Sequence, residues 1–221
     1  MKKIIALVLV LASVLTLGAC GKQKKALKAL AAIQANSDPT KVIINTEQTY
    51  GAHKMIGETT FVKGTSDGRR AMVYIENYQS LSEIEDQANS YIESTKTTYE
   101  YLDGKGVRIN GGKWDATRTD FAYQTNVINL NLAKDFLTEI TSEDNKLTAI
   151  IPSSATDDVF GTDSGLNVDS DVSITVIHDG IVITSITLSY TVAATGTIEH
   201  DMQVTISASY SYDAETITII P

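Results

Sequence analysis

The chain has 221 residues, of which 43% are hydrophobic, with 18 basic against 27 acidic side chains and a formal net charge of −9 at pH 7. That apolar content is enough for one domain with a sizeable core, and the acidic balance argues against nucleic acid and against polybasic docking on anionic lipid.

Met1, Lys2 and Lys3 supply a positive start, and residues 4–17 form an apolar run. At about fourteen residues the run is too short to span a bilayer and reads as a secretion signal. It ends in "LGAC" at 17–20, small residues followed by Cys20. This arrangement resembles the lipobox of bacterial lipoproteins, which implies cleavage before the cysteine and diacylation of its thiol, the one strongly nucleophilic side chain there. The alternative is a plain signal peptide that carries a cysteine. The expected organisation is a signal peptide over 1–19, a lipidated tether over 20–25 and one domain over 26–221. Loss of Lys2 and Lys3 takes the net charge to −11. With Cys20 acylated no thiol remains, so disulfides and thiolate metal sites are not expected. Attachment to the membrane then rests on the acyl chains.

"KKALKALAAIQAN" at 24–36 is rich in helix formers, with Leu27, Leu30, Ala31 and Ile33 on one side, and Ser37, Asp38 and Pro39 stop it. Residues 42–50, 55–62 and 70–78 read as strands separated by the turn-forming clusters "GAHK" and "KGTSDG". Residues 81–94 fit either a short acidic helix or a continuation of the third strand. Asp103-Gly104 lies between "TTYEYL" and "KGVRI", a two-residue hairpin signal because both positions tolerate positive φ. "LNLAKDFLTEIT" predicts a second helix, with Leu132, Ala133, Phe136, Leu137 and Ile140 forming its apolar stripe. Asp179-Gly180 repeats the hairpin device between "VSITVIH" and "IVITSITLSY", and "TITII" closes the chain before Pro221.

From Ile198 to Tyr212 the apolar residues Met202, Val204, Ile206, Ala208, Tyr210 and Tyr212 alternate with Gln203, Thr205 and serines, and His200 interrupts the apolar parity. That is a long strand with one greasy face. A sheet of eight to ten strands has an apolar face on the order of 750 Å², and two three-turn helices cover only about 300 Å² of it. Strong curvature closes the deficit. The predicted fold is therefore α+β: a large curved antiparallel sheet forming an incomplete barrel, capped by two or three helices.

The lipobox, the short N-terminal helix running into a strand, "YEYLDGKGVRINGGKW", the mid-chain amphipathic segment and the long strand ending in "YSYDAETITIIP" together resemble the LolA/LppX-like lipoproteins. The resemblance follows the order of elements over most of residues 24–221, and "DGK…GKW" at 103–114 is its best local piece. It implies a half-barrel whose apolar interior holds acyl chains. The chain departs from it in being rich in Thr and Ser and poor in Phe.

Little in the chain suggests catalysis. His53, His178 and His200 fall in separate elements, with no His-x-x-x-His pair, zinc spacing or Gly-x-Ser-x-Gly elbow. His200 reads either as a polar group in a cavity or, more simply, as a rim residue. "GVRINGGKW" has the wrong spacing for a phosphate loop, and Trp114 stands where a hydroxyl is required. Trp114 fits core packing better than a cavity mouth. Asp163, Asn167, Asp169 and Asp171 suit an oxygen-loving ion, but the stretch lacks the glycine and the final acid of an EF-hand loop and reads as a solvated acidic loop.

No enzyme activity, metal or cofactor is expected. Two functions fit. One is a monomeric, membrane-anchored extracytoplasmic lipoprotein binding a lipid or acyl chain, with Leu132, Phe136 and Ile140 of the helix and Met202, Val204, Ile206 and Tyr210 of the strand as lining residues. The other is an envelope interaction module with a filled core and another envelope protein as partner.

Overall fold

Ten strands pair in one antiparallel sheet. A computed structural model describes residues 21, 23–82, 91–121, 123, 125–160, 168, 170–194 and 200–220. The N-terminal meander comprises β1 (Lys41–Tyr50), β2 (His53–Ser66), β3 (Arg69–Ser82), β4 (Tyr91–Leu102) and β5 (Gly106–Ile109). The C-terminal meander comprises β6 (Thr138–Glu143), β7 (Lys146–Ile151), β8 (Val172–His178), β9 (Ile183–Val192) and β10 (Met202–Ser211). The order across the sheet is β5-β4-β3-β2-β1-β10-β9-β8-β7-β6, so the first and last strands meet at its centre and the sheet stays open, not closed into a barrel.

Turn chemistry fixes the hairpins. Asp67 and Gly68 both take positive φ, 50° and 75°, between the paired ends Ser66 and Arg69, the backbone that suits a right-twisted two-residue turn. The two Asp-Gly turns are longer than the two residues expected: Leu102 pairs with Gly106 and His178 with Ile183, and only the glycine of each Asp-Gly takes positive φ, 78° at Gly104 and 95° at Gly180. At the β8–β9 turn the Asp179 carboxylate accepts from the backbone N–H groups of Ile181 and Val182, each at 2.8 Å. These two bonds hold its carboxyl below the usual carboxylate range.

Period-2 alternation sends one face of β10 inward: Met202, Val204, Ala208 and Tyr210 are buried, while Gln203, Thr205, Ser209 and Ser211 are exposed. Met202, Val204, Ile206 and Ala208 pair with Val192, Tyr190, Leu188 and Ile186 of β9, and the last two of these with Ile174 and Val176 of β8, then Ala149 and Leu147 of β7. Helix α1, over residues 23–36, lays Leu27, Leu30 and Ala31 on this face. It ends where Asn36 and Ser37 donate back to the carbonyls of Ala32 and Ile33, at 2.9 and 2.6 Å, and Pro39 prevents continuation. The Gln34 amide ties α1 to the segment beside it, donating to Ile128 O and accepting from Leu130 N, both at 2.8 Å. That segment adds Phe121, Val127, Ile128, Leu130, Ala133 and Leu137 to the core.

A smaller core lies on the opposite face of the N-terminal meander. Ala71 and Leu102 are fully buried there under Ile217 and Ile219 of the C-terminal tail, with Val62, Val73 and Trp114 packed against them. Trp114 thus packs as expected. The Arg108 guanidinium lies 4.5 Å over its ring while pairing with Glu100 at 2.6 and 3.2 Å.

The predicted second helix is mostly not one. Only α2 (Leu130–Ala133) is helical, capped by the Asn129 side chain, and residues 138–143 are strand β6. A local 3.6-residue pattern loses here to long-range pairing: Thr141, Ser142 and Glu143 bond to Thr148, Leu147 and Lys146 of β7, and a bulge at Glu139, with φ 48°, breaks the helical run. A third helix, α3 (Thr156–Phe160), follows a 3₁₀ turn over Ser153–Ala155. "TITII" contributes a single parallel bridge, Thr65 to Thr216, instead of a strand. Of the ambiguous stretch 81–94, residues up to Ser82 continue β3 and those from Tyr91 belong to β4; the remainder lies outside the described residues.

Candidate functional site in the concave face

The packed core does not extend over the whole inward face of the sheet. Beyond it, towards the β1–β2 turn, the inward positions of β1 to β4 form cross-strand rows: Thr46, Gly57, Tyr78 and Thr95 in one, Gln48, Met55 and Ser80 in the next, and Ile44, Thr59, Glu76 and Thr97 in the third. Two cavities lie over these rows. One, about 370 Å³, is lined by Gln48, Met55, Gly57, Ser80 and Thr95 among others. The second, about 190 Å³, is lined by Ile44, Thr59, Tyr74, Glu76, Val127 and Ile206. Both share Thr46 and Tyr78, so together they make one trough.

Gly57 shapes its floor. A Cβ there would sit 3.0 Å from the Tyr78 ring and 3.7 Å from Thr46 Cβ, so the missing side chain lets the ring lie against the strand. Tyr78 and Met55 remain 47% and 39% exposed, large apolar surfaces that the described residues leave uncovered. Deeper in, Tyr74 donates to the Glu76 carboxylate at 3.1 Å. Burial first, and then that carboxylate, push the Tyr74 phenol up to about 12.

A third cavity, about 100 Å³, sits at the C-terminal end of α1 between Gln34, Ser37, Phe61, Lys63, Tyr123, Tyr210 and others. Phe61 and Tyr123 stack at 3.9 Å beside it, and Lys63 pairs with Asp38. The Tyr210 hydroxyl is buried without a hydrogen-bond partner among the described residues. Burial raises its phenol, and Tyr212 adds to the rise.

The lining residues expected from the sequence are scattered across these features. Ile206 lines the trough and Tyr210 the small cavity. Met202 and Val204 are buried in the packed core, and Ile140 is buried on β6. Leu132 and Phe136 are 55% and 37% exposed and line none of these cavities. Sequence reading missed Thr46, Met55, Gly57, Glu76 and Tyr78. Their signal is a break in parity: a glycine and an acid at inward positions of otherwise regular strands.

The remaining candidates stay apart. His200 is exposed and lies against Gly51 of the β1–β2 turn, His53 stacks on Tyr50 at 5.0 Å, and His178 accepts from Gly180 N at 3.1 Å. Asp171 accepts from Ser153 N at 2.8 Å, while Asp163, Asn167 and Asp169 lie outside the described residues. Among the described residues no group of three or more His, Cys, Asp or Glu is placed to hold a metal ion, and no helix is long and apolar enough to cross a membrane.

No family model matches the chain, and no curated protein does. Among solved structures it is similar to a DUF1329 family protein from Desulfovibrio piger, at 10% identity and a TM-score of 0.26, with 88% of this chain and 94% of that one covered.

Proposed function

We propose that this is an extracytoplasmic lipoprotein, anchored through diacylated Cys20, whose concave sheet face binds a ligand with a hydrophobic part, a lipid or an acyl chain. The trough over β1 to β4 carries this reading: α1 and residues 121–137 complete the core elsewhere, yet Met55 and Tyr78 stay uncovered above a cavity of about 370 Å³. That size lies in the range of small-molecule sites. Burying about 200 Å² of apolar ligand surface there would contribute about 5 kcal/mol before the cost of association. The hydroxyls of Thr46, Thr59 and Thr95 and the Gln48 amide make the site amphipathic, which suits a ligand with a polar end as well as an apolar one. The LolA/LppX-like order of elements and the "LGAC" sequence at 17–20 support the same reading.

The experiment is saturable uptake of a fluorescent apolar probe by residues 21–221, reversed by added lipid, together with palmitate labelling of the full chain that Cys20→Ala abolishes. Absence of uptake would favour the second reading, an envelope interaction module. Its support is the dense β7–β10 half of the core, where Leu147, Val176 and Ile186 have no exposed surface.

A further inference from the structure

Among the described residues the trough holds a single charged side chain, Glu76. Alternate residues of β3 face inward, which sets the Glu76 carboxylate between the phenols of Tyr74 and Tyr78 on one strand face. All other lining side chains of the two cavities are uncharged: threonines, Gln48, Gln79, Ser80 and apolar groups. Glu76 is half-buried, receives a hydrogen bond from Tyr74, and has no cation within ion-pair distance among the described residues. Elsewhere, the well-shielded Glu100 is paired bidentately with Arg108. A partly shielded carboxylate without a counter-charge attracts a cation more strongly than one in open water. The exposed Tyr78 ring beside it offers the negative π-face on which ammonium groups settle.

We infer that the trough selects amphiphiles with a positively charged ammonium group, placed against Glu76 and the Tyr78 ring, with the apolar part over Met55 and Ile206. This rests on the hydrophobic-ligand reading and deepens it. An acidic chain attracts cations generally, so the discriminating evidence is residue-specific.

Every described element follows residue 20, so the chain from Gly21 to Pro221 carries all of them. Titrating it calorimetrically with decyltrimethylammonium and decanoate below their micelle concentrations, and decanol below its solubility limit, should give tightest binding for the ammonium amphiphile, by about tenfold over the alcohol. Glu76→Gln should abolish that preference while leaving decanol binding intact. Tyr78→Leu, which keeps the carboxylate, should reduce it several-fold. Glu58→Gln, on the exposed outer face of β2, should leave it unchanged. Equal binding of all three amphiphiles, or a preference that survives Glu76→Gln with an unchanged circular dichroism spectrum, overturns the inference and leaves the hydrophobic-ligand reading standing. Binding of none of them overturns both.

Discussion

Gly64 of β2 lies directly against the backbone carbonyl of Glu215, so closely that a Cβ at position 64 would overlap that oxygen. The contact belongs to a strap: Thr65 N donates to Glu215 O at 3.2 Å, Ile217 N to Thr65 O at 2.9 Å, and Ile219 N to Ser66 Oγ at 3.3 Å. The strap places Ile217 and Ile219 over Ala71 and Leu102. Gly64→Ala must push the tail away, and a loss of about 1–3 kcal/mol is expected. Urea denaturation measures the loss, and hydrogen exchange should show residues 215–219 losing protection before the central strands.

The Gln34 amide completes two backbone groups that have no other partner in the hydrogen-bond pattern described, Ile128 O and Leu130 N. Gln34→Ala leaves both without it, at a cost of about 1–3 kcal/mol. Gln34→Glu should restore the bond to Leu130 N but set a carboxylate against the Ile128 carbonyl, so it recovers only part of the loss. Thermal melts of the two variants distinguish a hydrogen-bonded bridge from simple packing, which Glu would satisfy as well as Gln.

Alkaline pH should unfold the protein through its buried phenols. Tyr74 titrates at about 12 in the folded chain against an ordinary value of 10.0, and burial also raises Tyr190, Tyr210 and Tyr212. A group with a raised folded value binds its proton more tightly when folded, so its contribution is complete below pH 10 and is lost as pH climbs through 12. Urea midpoints should therefore hold up to about pH 10 and then fall. Tyr74→Phe should make the fall shallower, and a midpoint independent of pH across this window would contradict the burial of these rings.

Gly57→Val should close the trough with little effect on the fold. The nearest atoms to a new Cβ are the outer edge of the Tyr78 ring, a side chain 47% exposed and free to swing aside. A stability change under about 1.5 kcal/mol is expected, with probe uptake reduced about tenfold or more. Unchanged uptake would mean that the ligand lies elsewhere, the small cavity beside Tyr210 being the next place to look.

Much of the sheet was legible because its signals are local. The β-rich composition of 42–50, the alternation within 198–212 and Asp-Gly at 103–104 and 179–180 are each read from a few neighbouring residues; β1 and both turns lie there, β10 spans only Met202–Ser211, and the turns are longer than two residues. Strand β6 was not legible: Leu132, Ala133, Phe136, Leu137 and Ile140 do form a helical stripe, and only the partner strand 146–151 tips residues 138–143 into the sheet. The meeting of β1 and β10 at the centre depends on chain ends far apart in sequence. The trough was hidden for the same reason. It exists because three pairings bring Thr46, Gly57, Tyr78 and Thr95 into one row, and no single stretch announces that row.

Native mass spectrometry of residues 21–221, expressed without Cys20 and purified gently, tests the central claim most directly. The account predicts a mass excess that disappears on denaturation, extracts into solvent as lipid, and is diminished in Gly57→Val. Only the bare chain mass, unchanged after incubation with envelope lipids, would contradict it.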